Sequence, residues 1–374
     1  MEFEHYQLIA LYGFLVAMAF GAIANRTHFC TMGAISDWIN MGSRTRFRVW
    51  LLAMGIAIIG TQSLYLTGQV DLSGTIYHGT AFSWFGYMFG GFLFGIGMTI
   101  GSGCGQRTLV RVGSGNLKSL VLLLVLAVTA YMTLRGLLAL VRLEITGPTT
   151  IDLAERGFAS QGFDELIGTA TGISKTVIGI ALTALVGGGI VLYALRDRKV
   201  RTEFDNLLAG VGVGLVIVAA WFITGVLGYD DFEPTPVEGV SFINPVGNTL
   251  AYLMTYTGST ISFGIVLVLG TIAGSFLYSL LTGTLRTEVF HDRSDLVNHL
   301  YGGVLMGFGG VLSLGCTIGQ GITGMSTLAP GSVLALLSII AGGAMTMKMQ
   351  YYLYDGMGWW HAVKCTASDL LPSK

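Results

Sequence analysis

The stretch GGFLFGIGMTIGSGCGQ at residues 90–106 decides the fold, because much of it returns as GGVLMGFGGVLSLGCTIGQ at residues 302–320. In a gapless alignment five glycines, a leucine and a cysteine coincide, and Cys104 falls on Cys316 at an offset of 212 residues. The chain therefore contains an internal duplication, and the cysteine is part of what is duplicated.

The composition predicts an all-α polytopic membrane protein. Of the 374 residues, 52% are hydrophobic and 11% are charged, and the mean hydropathy is +0.69. An average soluble domain has about 25% charged residues. Several apolar runs reach the roughly 20 residues that a helix needs to cross a bilayer. The net charge of −1 suggests no nucleic-acid partner.

The cysteine pattern and the missing motifs favour a transporter over an enzyme, with no metal and no cofactor. The four cysteines form no CxxC pair and no Cys/His cluster with zinc spacing. The chain also lacks HExxH, a Walker-type phosphate loop and a long soluble insert. We expect residues 1–374 to form a single transmembrane transporter domain.

Apolar runs and basic loops together predict a topology. About nine transmembrane helices are expected, at 6–25, 50–66, 83–102, 117–141, 173–195, 207–227, 261–281, 301–315 and 331–352. The positive-inside rule makes four loops cytoplasmic, namely 44–48, 107–118, 196–203 and 286–299. Three loops are then external, namely 68–79, 142–172 and 228–259. The N-terminus is predicted outside and the C-terminus inside, with re-entrant helix-loop-helix elements near the cysteines.

This topology makes the duplication an inverted one. The segment of Cys104 starts outside and runs inward, whereas the segment of Cys316 starts inside and runs outward. We therefore predict a first repeat at 1–142 and a second, inverted repeat at 173–353. Inverted repeats with broken helices are typical of transporters, which bind their substrate at the interface of the repeats.

Glycines predict helix breaks at the repeated cysteines. Gly103 and Gly105 flank Cys104, Gly315 precedes Cys316, and glycine lowers helix propensity. Broken backbone within a bilayer is tolerated only where it faces protein or a cavity. A lone buried cysteine is usually a small apolar core residue, but two cysteines at equivalent breaks indicate function. Most other glycines are expected to let helices pack closely.

A third polar interruption contains Cys30, beside Arg26. A weaker match, at an offset of 193 residues, aligns 207–225 with the first helix and places Ile223 at the position of Cys30. The first half of the chain thus has two cysteines at breaks and the second half has one. Cys365, beyond the last span, is expected to be an ordinary cysteine.

Polar residues near the breaks have two interpretations each. Arg26 and Arg107 either attract an anion to the mouth of a path or mark the cytoplasmic ends of helices. Gln106 and Gln320 either line the path or hydrogen-bond to the broken backbone. The sequence leaves both choices open.

Three motifs in order, FCTMGAISD at 29–37, GCG at 103–105 and GCT at 315–317, resemble the YeeE/YedE family of bacterial inner-membrane proteins. The resemblance covers nearly the whole chain and implies thiosulfate transport. It also implies an hourglass of helices, with helix-loop-helix units dipping from both faces and three cysteines along a central path. A small TusA-like sulfur carrier in the cytoplasm is the implied partner, and some relatives are linked to selenium metabolism.

The predicted function is uptake of thiosulfate through a central path that is lined by cysteine thiols, in a protein embedded in membrane lipid. Thiosulfate is a dianion with a polarisable terminal sulfur, and a neutral thiol is a weak S–H donor. Weak sites in series hold an ion loosely enough to let it leave. The alternatives are another small sulfur or selenium species and a membrane thiol sulfurtransferase. The predicted path comprises the three cysteines and their glycine, polar and basic neighbours: Cys30, Cys104, Cys316, Gly103, Gly105, Gly315, Thr317, Gln106, Gln320, Arg26 and Arg107.

Overall fold

The computed structural model describes residues 5–229, 235–290 and 292–370. Residues 1–4 and 371–374, at the termini predicted outside and inside, lie outside this description, as do parts of two predicted loops, 230–234 and 291. Within the described residues the chain is helical, with one short pair of antiparallel strands, Ala81–Ser83 (β1) and Thr150–Asp152 (β2).

Seventeen α-helices lie in the described residues. The first nine are α1 His5–Arg26, α2 Thr31–Met41, α3 Thr45–Leu66, α4 Trp84–Ile100, α5 Gly105–Gly113, α6 Leu117–Arg135, α7 Leu138–Thr146, α8 Phe163–Thr171 and α9 Lys175–Leu182. The others are α10 Gly189–Leu195, α11 Arg198–Thr202, α12 Phe204–Phe222, α13 Ile243–Met254, α14 Phe263–Leu281, α15 Arg293–Leu312, α16 Pro330–Tyr354 and α17 Trp359–Leu370. Three π-helical segments, Thr183–Gly188, Ile223–Leu227 and Gly319–Gly324, continue or follow them.

Eight helical stretches of the described residues are long and apolar enough to cross a bilayer. They are Gln7–Met41, Thr45–Leu66, Trp84–Gly113, Leu117–Arg135, Lys175–Leu195, Phe204–Leu227, Phe263–Leu281 and Pro330–Tyr354. Two of them join a pair of helices across a break, α1 with α2 and α4 with α5. The ninth predicted span lies in α15, which is less apolar because its first turn carries Arg293 and Asp295. The prediction of an all-α polytopic membrane protein is confirmed.

Two predicted boundaries differ from the observed ones. The span predicted at 117–141 is two helices, because Gly136 adopts an extended conformation (φ −106°, ψ −157°) between α6 and α7. The predicted end of the first repeat, residue 142, therefore falls inside α7. Helix α15 begins well before residue 301, and an ion pair between Lys118 Nζ and Asp295 Oδ2 (2.7 Å) tethers its polar first turn to α6.

Glycines set the closest helix contacts, as the sequence predicts. A methyl group at Gly97 of α4 would lie 2.9 Å from the carbonyl oxygen of Gly302 in α15. A methyl group at Gly309 of α15 would lie 2.6 Å from the carbonyl oxygen of Gly90 in α4. The two glycine-rich helices therefore run antiparallel with their backbones in contact, which only residues without a β-carbon allow.

Each of the other main helix contacts joins a helix of the first half of the chain to a helix of the second half. Helix α1 packs on α14 and α3 packs on α12, while α4 packs on α16 and α6 packs on α15. Suppose that helices α1, α3, α4 and α6 of the first half correspond to α12, α14, α15 and α16 of the second half. The contact of α1 with α14 then corresponds to that of α12 with α3, and the contact of α4 with α16 corresponds to that of α15 with α6. This pattern, with α4 antiparallel to α15, fits the inverted repeat of 1–142 and 173–353, which stays a prediction.

Replacing Gly309 tests the close contact of α4 and α15. Gly309→Ala is expected to lower the melting temperature in detergent by several degrees, because overpacking costs about 1–3 kcal/mol. The matched control is Gly189→Ala, where a methyl group meets no atom within 4 Å. That substitution is expected to be neutral or to stabilise by about 0.5–1 kcal/mol. Equal melting temperatures of the two variants would contradict the packing described.

Candidate functional site

Each of the three cysteines near a helix break follows a residue in a left-handed conformation by two positions. His28 (φ 52°), Ser102 (φ 57°) and Leu314 (φ 57°) precede Cys30, Cys104 and Cys316. A positive φ is uncommon for residues other than glycine and costs of order 1–3 kcal/mol. The sequence predicts the break at the glycines themselves, but none of Gly103, Gly105 and Gly315 has a positive φ.

The left-handed residue closes the preceding helix with the same hydrogen bond at all three breaks. In each case the N–H that follows it donates to the carbonyl five residues earlier, as in a Schellman motif. The three bonds are Phe29 N to Ala24 O (3.2 Å), Gly103 N to Met98 O (2.9 Å) and Gly315 N to Gly310 O (2.8 Å). At each break this bond gives one of the last carbonyls of the helix a partner within the protein.

The cysteine then begins the next helical segment, and its sulfur faces backbone N–H groups. Cys30 Sγ accepts a hydrogen bond from Gly33 N (3.4 Å), and Cys316 Sγ accepts one from Gly319 N (3.3 Å). Cys104 is the N-cap residue of α5 and its thiol donates to Gln106 Oε1 at 3.9 Å. Backbone N–H groups therefore orient the sulfur atoms of Cys30 and Cys316, and the Gln106 side chain contacts that of Cys104.

The three breaks converge in the interior. The thiol of Cys30 lies within hydrogen-bonding reach of the thiol of Cys104, and the Thr317 side chain lies beside Cys104. The backbone at Phe242 faces Cys316, and Ile243 would be 3.3 Å from a methyl group on Gly105. Cys104 and Cys316 are fully buried, whereas Cys30 is partly exposed. The cysteines thus form a row, and the start of α13 joins the last two.

A cavity of about 330 Å³, the basic cavity, lies at the Cys30 and Cys104 end of this row. Its lining includes Arg26, His28, Arg107, Arg111, Arg286 and Glu288. Of these residues, only Arg26 and Arg107 belong to the path predicted from the sequence. Arg111 follows Arg107 by one helical turn and shares its face. The loops that form this cavity are among those predicted to be cytoplasmic.

A second cavity of about 250 Å³, the Tyr77 cavity, lies at the Cys316 end. Its lining includes Tyr77, Trp221, Glu238, Ser241, Asn244 and Asn248, from loops predicted to be external and the helices beside them. Ser241 Oγ would be 2.6 Å from a methyl group on Gly319, three residues after Cys316. No sequence signal indicated these residues, because their common position arises only when two loops distant in sequence fold together.

The two arginines of the predicted path differ in their partners. Arg26 is partly exposed, and its Nε is 2.9 Å from Asp205 Oδ1. Arg107 is closer to the thiols and interacts electrostatically with Cys30 and Cys104. No carboxylate in the described part of the chain forms an ion pair with Arg107. Its charge is therefore available to an anion near the cysteines.

The two glutamines also differ. Gln320 donates from Nε2 to Ser313 O (2.7 Å) and accepts at Oε1 from Ser332 Oγ (2.7 Å). Both ends of its amide are used inside the protein, which favours the backbone-supporting role for Gln320. Gln106 is fully buried, and its Nε2 has no hydrogen-bond partner in the described structure. The unpartnered Nε2 group favours the path-lining role for Gln106.

A row of thiols at helix breaks between two cavities, in a chain that crosses the bilayer many times, defines a multi-pass membrane transport protein. Residues 5–229, 235–290 and 292–370 contain no group of three or more His, Cys, Asp or Glu side chains that could hold a metal ion. The chain belongs to the sulphur transport family, whose sequence model matches residues 26–345. The resemblance to YeeE/YedE proteins is thus confirmed.

Two relatives with transporter names extend over most of the chain. The thiosulfate transporter TsuA of Escherichia coli (strain K12) is 23% identical over 341 residues, which cover 89% of this chain and 92% of that protein. The thiosulfate transporter TsuA of Spirochaeta thermophila is 25% identical over 334 residues, which cover 88% of this chain and 96% of that protein. Both names are those of transporters and not of enzymes.

Ser102 offers a test of the left-handed break before Cys104. Ser102→Gly is expected to keep or raise the melting temperature, because glycine adopts this φ without strain. Ser102→Val is expected to lower stability by about 1–2 kcal/mol, because a β-branched side chain clashes in the left-handed region. The side chain of Ser102 is exposed, so packing contributes little to the difference. A higher melting temperature for the valine variant than for the glycine variant would contradict this backbone geometry.

Proposed function

We propose that this protein takes up thiosulfate across the bacterial inner membrane. The route runs from the Tyr77 cavity past Cys316, Cys104 and Cys30 to the basic cavity. The convergence of the three thiols between two cavities is the observation that carries the proposal. The names of the two relatives support thiosulfate as the substrate.

The chemistry of the thiols suits a dianion that must pass without being trapped. Transfer of a bare charge from water into a low-dielectric interior costs several kcal/mol even after relaxation. A neutral S–H group donates a weak hydrogen bond and adds no negative charge that would repel the substrate. Three such groups in a row replace part of the hydration shell at each step, and each holds the anion weakly enough to release it.

The basic cavity serves the other end of the route. Arg107, Arg111 and Arg286 lower the energy of an anion that has passed Cys30. Their contribution opposes the membrane potential, which costs about 2.3 kcal/mol per charge for each 100 mV. A cytoplasmic TusA-like sulfur carrier that consumes the anion at this cavity would keep its concentration low and sustain uptake. With this cavity inside, the N-terminus lies outside and the C-terminus inside.

Growth on thiosulfate as the only sulfur source tests the proposal. The host is a bacterium that lacks its own sulfate and thiosulfate uptake, and it expresses wild type, Cys30→Ala, Cys104→Ala or Cys316→Ala. Wild type is expected to restore growth. Each variant is expected to lower the rate of thiosulfate uptake at least about tenfold and so to slow growth, because loss of one site opens a gap in the row.

The matched control is Cys365→Ala, since Cys365 lies in α17 and outside the row of thiols. It is expected to grow like wild type, with equal amounts of all variants in the membrane. Growth of both Cys104→Ala and Cys316→Ala at the wild-type rate would refute the thiol route. No growth with well-expressed wild type would refute thiosulfate as the substrate and turn the search to other sulfur or selenium species.

A further inference from the structure

We propose that orphaned side-chain donors beside the cysteines, Thr31, Gln106 and Thr317, bind the oxygen atoms of the substrate while the thiols contact its sulfur. This inference rests on the proposed function and deepens it. A ligand that matches both kinds of group is a small anion with a polarisable sulfur or selenium at one end and oxyanion oxygens at the other.

The three donors share one property. Thr31 Oγ1, Gln106 Nε2 and Thr317 Oγ1 are buried and have no hydrogen-bond partner in the described structure. The exposed fraction of each residue is 1% or less. Each lies within two positions of a cysteine in the row, and the side chain of Thr317 also lies beside Cys104. A buried polar group without a partner costs about 1–3 kcal/mol, and an absent ligand is a recognised reason for one.

The helix breaks deprive the two threonines of one common partner. Several buried threonines in continuous helices bond to the carbonyl four residues earlier, as Thr271 does with Leu267 O (2.7 Å) and Thr133 with Thr129 O (2.7 Å), although Thr61 of α3 does not. Thr31 is the first residue of α2, and Thr317 follows directly after Cys316. No helical turn precedes either residue, so the carbonyl that would accept the hydroxyl proton is missing.

The backbone at the breaks leaves the oxygens to these side chains. The N–H groups of Gly33 and Gly319 are already directed at the sulfur atoms of Cys30 and Cys316. A fourth unpartnered donor, the indole N–H of Trp50, belongs to a residue that lines a small cavity with Cys30. Trp50 is also 99% buried, so its N–H has no route to bulk water.

Pairing a thiol with an oxygen-binding group at each step makes the route selective. Sulfate has oxygens but no polarisable terminal sulfur, and hydrosulfide has the sulfur but no oxygens. Either ion leaves one group of each pair unmatched, and a site built to hydrogen-bond a group rejects ligands that lack it. Excess sulfate or hydrosulfide is therefore expected to compete poorly with thiosulfate.

The test combines transport kinetics with stability. Radiolabelled thiosulfate uptake into proteoliposomes is measured for wild type, Thr317→Val and Gln106→Met, which remove a donor and keep the size of the side chain. Each substitution is expected to raise KM about tenfold or more, because a hydrogen bond to a charged group is lost. The melting temperature is expected to stay equal or rise, because the only bond lost within the described structure is the weak contact of the Cys104 thiol with Gln106 Oε1 (3.9 Å) in Gln106→Met.

The matched control is Thr271→Val, a buried threonine whose hydroxyl bonds within its own helix. It is expected to leave KM unchanged. An unchanged KM in both donor variants overturns the inference, and so does a fall in melting temperature that accompanies the loss of uptake, because that pattern marks a structural role. Absence of uptake by wild type would instead remove the proposed function, and the inference with it.

Discussion

The rest of the structure depends on how three helix ends beside the cysteines are closed. Helix ends expose backbone groups that need partners, and hydrocarbon offers none. At each break a left-handed residue turns the chain so that its own hydrogen bonds close the helix. A cysteine then leads into the next segment, and the sulfur atoms of Cys30 and Cys316 accept hydrogen bonds from the N–H groups of Gly33 and Gly319. Because sulfur is a weak acceptor, these two contacts are weak and compete little with a ligand.

Close helix packing and helix breaks have different roles in this structure. Glycine faces bring α4 and α15 into backbone contact, and the resulting core is rigid enough to hold strained residues such as Ser102 and Leu314. The breaks remove the carbonyls that buried hydroxyl groups would otherwise use. Three unpartnered donors, Thr31 Oγ1, Gln106 Nε2 and Thr317 Oγ1, lie at the breaks near the thiols. Charge is concentrated in the basic cavity, where Arg107 is available to an anion.

The sequence predicts the membrane class, the glycine contacts and the three cysteine breaks, because each of these follows from local composition and from the duplication. It does not predict that Ser102 and Leu314, rather than the neighbouring glycines, take the left-handed conformation. The left-handed conformation falls on Ser102 and Leu314 because the N–H of the next residue, Gly103 or Gly315, bonds to the carbonyl five residues before it. Nor does it separate Gln320 from Gln106, because the difference depends on Ser332, which reaches Gln320 from the following helix.

The most direct test of the thiol route is thiosulfate flux through purified protein in sealed vesicles. Wild type is compared with a variant in which Cys30, Cys104 and Cys316 are all alanine, at equal amounts of protein with the same melting temperature. Saturable uptake of radiolabelled thiosulfate by wild type, reduced to the level of empty vesicles in the variant, is the predicted result. Equal flux through both proteins would show that the anion crosses without the thiols.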